Sequence, residues 1–251
     1  MYEQFSHDYD RFVNWASRLA AELPFLDEQL KTVDARRVLD AACGTGQHAI
    51  ALGQRGFDVV GADPSAGMIE RARHSAQAEG VRLRFEVVEF GELKAKTGGG
   101  FDALLCLGNS LPHATGQEAL APTLDDFHGC LRPGGLLVIQ NRNFDAILER
   151  RERWMDPQSY RDEDGEWLFL RCYDFLPGGG LRFHVITLRR RADEPWQQRV
   201  LSTELWPWTQ EDLLLALTRA PFDTVVSYGD NQGAPFDPHS SPNLIITALR
   251  S

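Results

Sequence analysis

The sequence predicts an α/β protein: a doubly wound, mostly parallel sheet of seven strands, with an antiparallel β flap inserted after strand five. Three observations carry this. From Arg37 to Arg142, short continuous apolar runs alternate with helical patterns, as strands covered on both faces do. The stretch "VLDAACGTGQHAI" (Val38–Ile50) passes from an apolar strand through very small residues into a helix, which brings backbone close to a ligand. After the fifth strand, "EWLFLRCYDFL", "LRFHVITLRRR" and "QQRVLSTELW" alternate only partly and are joined by "PGGG" and "ADEP", the pattern of hairpins.

Taken in order, Asp8–Ala21 and Phe25–Leu30 read as helices in an N-terminal cap over residues 1–35. Arg37–Ala41 is the first strand, and the helix after it stops at Gly56. Phe57–Asp63 is the second strand, with Ser65 capping a helix that ends near Gly80. Leu83–Phe90 is the third, Thr97–Gly100 a turn, and Phe101–Gly108 the fourth. A helix over Glu118–Leu131 is ended by "RPGG", and Leu136–Arg142 is the fifth strand. The flap takes residues 165–207, so the sheet domain comprises 36–164 and 208–251. Thr209 caps a helix to Ala220, and "FDTVVSYG" and "NLIITALR" close the sheet as a hairpin.

The chain's 251 residues suit one large domain, or one with an insertion. With 26 basic against 36 acidic residues the formal charge is −10. Such a chain repels phosphate backbones, and the basic runs Arg150–Arg153 and Arg189–Arg191 read as solvated faces, so nucleic acid is not an expected partner. Cys43, Cys106, Cys130 and Cys172 form no CxxC pair, which reads as reduced thiols in a cytoplasmic protein. His48, His113 and Cys130 lack metal-ligand spacing, so no metal is expected. "MYEQFSHDYDRF" has no apolar core of a signal peptide, and no run nears the ~20 residues of a membrane span.

Gly44 and Gly46 remove the Cβ atoms that would keep a ligand from the loop. Asp63, 17 residues beyond Gly46, ends the next strand, where an acid takes ribose hydroxyls. Gly44-x-Gly46-x-x-Ala49 also fits a relaxed dinucleotide fingerprint, leaving a nicotinamide or flavin cofactor as a rival. Asp40 tells against that rival, because its charge would face a pyrophosphate. It suits a cationic ligand. "VLDAACGTG" resembles the first motif of class I S-adenosylmethionine-dependent methyltransferases. The resemblance implies a Rossmann-like methyltransferase fold, with this loop on the methionine part of the cofactor, Asp63 on the ribose, and Glu89 and Phe90 flanking adenine. Ala42, Pro64, Met68 and Leu107 complete the candidate cofactor contacts.

"CLGNSLPHA" (Cys106–Ala114) lacks the Asn- or Asp-Pro-Pro-aromatic tetrapeptide usual in enzymes that methylate amino groups of nucleic acid bases. It resembles the matching segment of glycine N-methyltransferase and glycine/sarcosine methyltransferases, as does "RPGGLLVIQNRNFDAIL" (Arg132–Leu148). That resemblance implies Asn109 and Arg142 positioning an amino acid, Arg142 on its carboxylate, and His113 near the methionine end of the cofactor. Open beside it are Arg142 paired with Asp145 or Asp102, His113 as a core histidine, and Asn109 as a turn residue. Two departures stand out. Glu89-Phe90 replaces the family's Asn-Trp pair, and the N-terminal tyrosines that line its site have only Tyr2, Phe5, Tyr9 and Phe12 as counterparts. The expected function is methyl transfer from S-adenosylmethionine to a small molecule, with N-methylation of an amino acid or amine foremost. The alternatives are an NAD-type oxidoreductase and a non-catalytic S-adenosylmethionine-binding protein. A general base is optional; His113 and Tyr9 are the candidates. The oligomeric state is left open.

Overall fold

The computed structural model describes residues 1–192 and 194–251, with the backbone alone at positions 2, 4 and 7. Two helices open the chain, α1 (Tyr2–Phe12) and α2 (Trp15–Lys31). Strands and helices then alternate: β1 (Arg37–Asp40), α3 (Gln47–Gln54), β2 (Asp58–Asp63), α4 (Ala66–Ala78), β3 (Arg84–Val87), α5 (Leu93–Thr97), β4 (Phe101–Cys106), α6 (Leu120–Cys130) and β5 (Leu131–Arg142). Helix α7 (Phe144–Arg150) leads to β6 (Gln158–Asp162), β7 (Gly165–Phe175), β8 (Leu181–Arg190) and β9 (Gln197–Leu205). The chain finishes with α8 (Gln210–Arg219), β10 (Phe222–Tyr228) and β11 (Asn243–Arg250).

Seven strands form one sheet in the order β10-β11-β5-β4-β1-β2-β3. The β5-β4-β1-β2-β3 pairings are parallel, and the β10–β11 hairpin adds antiparallel to β5. The pleat explains why the central strands are apolar throughout. Leu39, Leu104, Ile139 and Ile246 face a core shared with α6 and α8, whereas Val38, Leu105, Val138 and Ile245 face a core shared with α2 and α3. The order reverses between β1 and β4, and the carboxyl ends of those strands open the crevice where such folds bind ligands.

Local chemistry departs from the expected boundaries in three places. Val13 is extended and Asn14 caps α2 by accepting from Ser17 N at 3.1 Å, so the break falls there rather than after Ala21. Helix α2 then runs through Pro24, because Leu23, Phe25, Leu26 and Leu30 are buried on the sheet, and that packing offsets the lost helix hydrogen bond. Strand β5 begins at Leu131, so Arg132–Gly135 is an irregular stretch against β4 and not a stop. Thr209 does cap α8, in a reciprocal box with Asp212.

Strands β6-β7-β8-β9 form a separate antiparallel sheet. Its first strand, "QSYRD", precedes the expected start at Gly165; it is polar and solvent-facing along its length and carries no alternation to read. The flap is fastened at two points. Trp167 and Phe169 pack with Phe5 and Phe12 of α1, and Tyr173, Leu181 and Leu205 pack with Phe144 and Ile147 of α7. Among the described residues, no helix is long and apolar enough to cross a membrane.

Candidate functional site

A cavity of about 530 Å³ opens at the carboxyl ends of β1, β2 and β4. Of the residues expected at a cofactor, Ala42, Gly44, Asp63, Pro64, Met68, Glu89 and Phe90 line it, together with Tyr9 and His113. Backbone bonds shape the loop after β1: Cys43 N donates to Ala62 O at 2.9 Å, and Gly46 N to Cys43 O at 2.9 Å. Asp63 stitches the loop to β2, accepting from Gly44 N at 3.0 Å and from Ser65 N at 2.9 Å. Ser65 in turn accepts from Met68 N at the start of α4.

Asp40, Gly46 and Leu107 lie outside the cavity wall. Gly46 has φ +82°, and a Cβ there would stand 2.9 Å from the Ala72 Cβ; its bareness lets α3 pack on α4 and does not serve a ligand directly. Leu107 is a core residue beside Phe25 and Ile245. Asp40 is 1% exposed beneath the loop, and its Oδ2 has no hydrogen-bond partner. Burial raises its pKa to about 6. Burial likewise raises that of Asp63 to about 6, against the pull of its two amide donors.

Helix α1 crosses above the loop on two polar clamps. Glu3 accepts from Ser65 Oγ at 2.6 Å and from Gly67 N at 3.0 Å, at the start of α4. Asp10 accepts from Thr45 Oγ1 at 2.7 Å and from Arg71 at 3.2 Å. Phe5 and Phe12 turn toward the flap, and Tyr9 toward the cavity; the side chain of Tyr2 lies outside the described residues.

A second cavity, about 470 Å³, lies under the flap, and Tyr9 and Gly108 line both cavities. Gly108 has φ +70°, and a Cβ there would meet Arg18 Nη2 at 2.9 Å. Asn109 and Arg142 line this second cavity and not the first. Asn109 adopts φ +64° and its Oδ1 accepts from Arg142 N at 3.0 Å, a turn that joins the ends of β4 and β5 and that Asn tolerates. Neither expected ion pair of Arg142 forms: Asp102 holds Arg132, and Asp145 accepts from Gln210 N. The Arg142 guanidinium instead lies 5.8 Å from the Tyr173 ring centroid, within reach of its phenol. A larger cavity of about 600 Å³, between α6 and α8 beside Trp206 and Trp208, contains none of the expected groups.

Four residues of this second site escaped sequence reading: Arg18, Glu22, Arg171 and Tyr173. Glu22 takes His48 Nε2 at 2.6 Å, Arg18 Nε at 3.1 Å and Gln140 Nε2 at 2.9 Å. Burial would raise its pKa, but the His48 hydrogen bond and the Arg18 charge hold it at about 2. Gln140 Oε1 accepts from Gly108 N at 3.1 Å, which ties this network to the shared wall. Nothing in the local sequence announces partners 26 and 118 residues apart. A signal did exist for Arg171, an arginine among aromatics on one face of an alternating strand.

His113 and Tyr9 make poor proton acceptors here. Burial lowers the His113 pKa to about 4, so the ring is neutral and weakly basic at pH 7. Burial raises that of Tyr9, so its phenol keeps its proton and can only donate or accept a hydrogen bond.

Residues 38–135 match a family model described as a methyltransferase domain. The chain is 39% identical over 145 residues to a glycine/sarcosine N-methyltransferase of Halorhodospira halochloris, a match covering 58% of this chain and 54% of that relative. It is 30% identical over 230 residues to the glycine/sarcosine N-methyltransferase of Aphanothece halophytica, covering 92% of this chain and 82% of the relative. The solved CcbJ methyltransferase from Streptomyces caelestis shares the fold with a TM-score of 0.80 at 22% identity, over 99% of this chain and 97% of that one. Kinship that extends through the flap as well as the sheet makes this chain a member of the class I S-adenosylmethionine-dependent methyltransferase family.

Proposed function

We propose that the protein methylates the amine of a small acceptor that carries a carboxylate, an amino acid being the nearest case. The observation that carries this reading is the wall of Tyr9 and Gly108 shared by the cavity lined with Gly44 and Asp63 and the arginine-lined cavity under the flap. Donor and acceptor bound on either side would meet there. The glycine/sarcosine N-methyltransferases among its relatives support an amino acid acceptor. The first of those matches spans about half of the relative's length, 54%.

The residues present fit S-adenosylmethionine. Asp40 is a buried carboxylate with an unpartnered oxygen one layer below Ala42 and Gly44; it favours a cationic methionine end and disfavours a pyrophosphate, which sets aside the NAD reading. Asp63 has lone pairs left for ribose hydroxyls beyond its two amide bonds. Bound S-adenosylmethionine, held over Ala42 and Gly44 with its ribose on Asp63, would supply an electrophilic methyl on a sulfonium to the acceptor nitrogen's lone pair. Arg142 holds the acceptor carboxylate, and Tyr9 and Asn109 orient the nitrogen. The amine gives its proton to water before it binds, since neither His113 nor Tyr9 suits a base. Alignment supplies roughly 7–11 kcal/mol of the barrier, and α1 with the flap excludes water. A net charge of −10 and four free cysteines support a non-nucleic-acid partner and a reducing, cytoplasmic setting.

A radiolabelled methyl-transfer screen over amino acids, simple amines and phenols tests the reading. Label should pass to an amino acid. Transfer only to acceptors without an acidic group would overturn the carboxylate part, and binding of S-adenosylhomocysteine without transfer to any acceptor would overturn catalysis.

A further inference from the structure

We propose that the acceptor carries a second anionic group besides its α-carboxylate, and that Arg171 on β7 binds it beside Arg142. This rests on the methyl-transfer reading above. On β7 the residues sharing one face are Trp167, Phe169, Arg171, Tyr173 and Phe175. Trp167, Phe169 and Tyr173 are each buried to 1% exposure or less. An arginine in that row needs a reason, because its charge loses water without gaining an anion. Its guanidinium stacks 4.9 Å from the Phe12 ring centroid, and its Nε is buried without a hydrogen-bond partner.

Both guanidinium groups line the same cavity. Arg18, the third arginine there, is committed to Glu22. Among the described residues no carboxylate lies within ion-pairing distance of Arg142 or Arg171; Asp156, the acid whose charge acts on Arg171, is exposed. The side chains of Arg18, Arg142, Arg171 and Glu22 thus leave two unmatched positive charges (3 − 1) in the cavity of a chain whose net charge is −10. Adjacent half-buried cations repel and wait for an anion with matching oxygens.

One carboxylate bridging both arginines would leave one of the two charges unmatched, and it would not fill the space. At about 470 Å³ the cavity falls within the roughly 300–1,000 Å³ that holds ligands much larger than a two-carbon amino acid. Phe183, Val185 and Leu205 of the flap line the same cavity as Arg142, and Val185 stands beside Arg171 in the β7–β8 register. An α-amino acid with its carboxylate on Arg142 directs its side chain there, toward Arg171. The second anion is therefore a side-chain carboxylate or a phosphate.

The test is titration calorimetry on the full chain loaded with S-adenosylhomocysteine, at one ionic strength, with L-glutamate, L-glutamine, O-phospho-L-serine and glycine. Glutamate or phosphoserine should bind about 10-fold or more tightly than glutamine, as one charge-assisted contact allows. Which of the two leads distinguishes carboxylate from phosphate. Arg171→Gln should abolish the preference while affinity for S-adenosylhomocysteine is retained. Arg171→Met keeps the stem over Phe12 and serves where Arg171→Gln fails to fold, and Arg171→Lys should restore part of the preference. Equal binding of glutamate and glutamine by the parent chain, or a preference that survives both neutral variants, overturns the proposal. Because binding is read without turnover, a lack of methyl transfer counts against the catalytic reading alone.

Discussion

Asp40→Asn should weaken cofactor binding while removing a pH-dependent load on the fold. The carboxyl is 1% exposed at the end of β1, with one oxygen unpartnered. Burial holds its pKa at about 6 against an ordinary 3.8. At about 1.4 kcal/mol per pH unit, keeping it ionised costs the fold roughly 3 kcal/mol. Between about pH 4 and pH 6 the folded chain keeps a proton that the unfolded chain has released. The stability contribution of the protonated acid is therefore complete below the unfolded value and lost as pH rises to about 6. Asn carries no such proton. The stability of Asp40→Asn relative to the parent should climb by about 3 kcal/mol in total across that window and stay flat above it. A constant offset of about 1–3 kcal/mol opposes this, for a buried amide short of partners. Asp63, also near 6, leaves the variant's own stability still falling as pH rises through that value, as the parent's does. Urea unfolding of ligand-free protein at half-unit steps from pH 4 to 8 measures the difference. In parallel, the affinity for S-adenosylhomocysteine, which keeps the α-ammonium group, should fall about 10-fold, the size of a Coulomb attraction of about 1–2 kcal/mol acting from one layer beneath the cavity wall. A stability difference that is flat across the window, or an unchanged affinity, would refute the reasoning.

Asp63→Ala should weaken S-adenosylhomocysteine binding by about 2–4 kcal/mol in calorimetry, and it leaves the Gly44 and Ser65 amides without their acceptor; an affinity within twofold of the parent would remove Asp63 from the site. Arg142→Lys keeps the charge and loses the fork, so the acceptor's KM should rise, and Arg142→Leu should cost about 2–4 kcal/mol in kcat/KM with cofactor affinity nearly constant. An unfolded Arg142→Leu would instead mean that Arg142 is structural. Thr209→Ala breaks the reciprocal cap of α8 and should lower stability by about 1 kcal/mol, seen as a shift in urea midpoint with cofactor affinity unchanged.

The cavity at the carboxyl ends of β1, β2 and β4 was legible because its signals are local. An apolar strand, a loop of small residues and an acid at the next strand end are each set by a few adjacent residues, so the sheet and the approach of Gly44 and Asp63 to one cavity could be read along the chain, whereas Asp40 lies beneath the wall of that cavity. Glu89, Phe90 and His113 reach the same cavity from strand ends and turns that the pattern also marked. The cavity under the flap was decided by the tertiary structure. Its walls come from α1, α2, β5 and all four strands of the flap, and no periodicity says which faces will meet. Gly46 shows the limit even within a motif: its neighbours, Ala72 and Phe85, come from the next helix and strand, so its clearance serves packing. Strand β6 was invisible because an edge strand open to solvent needs no apolar alternation. Arg171 shows the converse. Its place among aromatics is written in the sequence, but its lack of an anion, and the presence of Arg142 in the same cavity, arise only when β7 closes over β5 and α1. Pairing and desolvation are properties of neighbours in space, and for long-range neighbours the chain order holds no record of them.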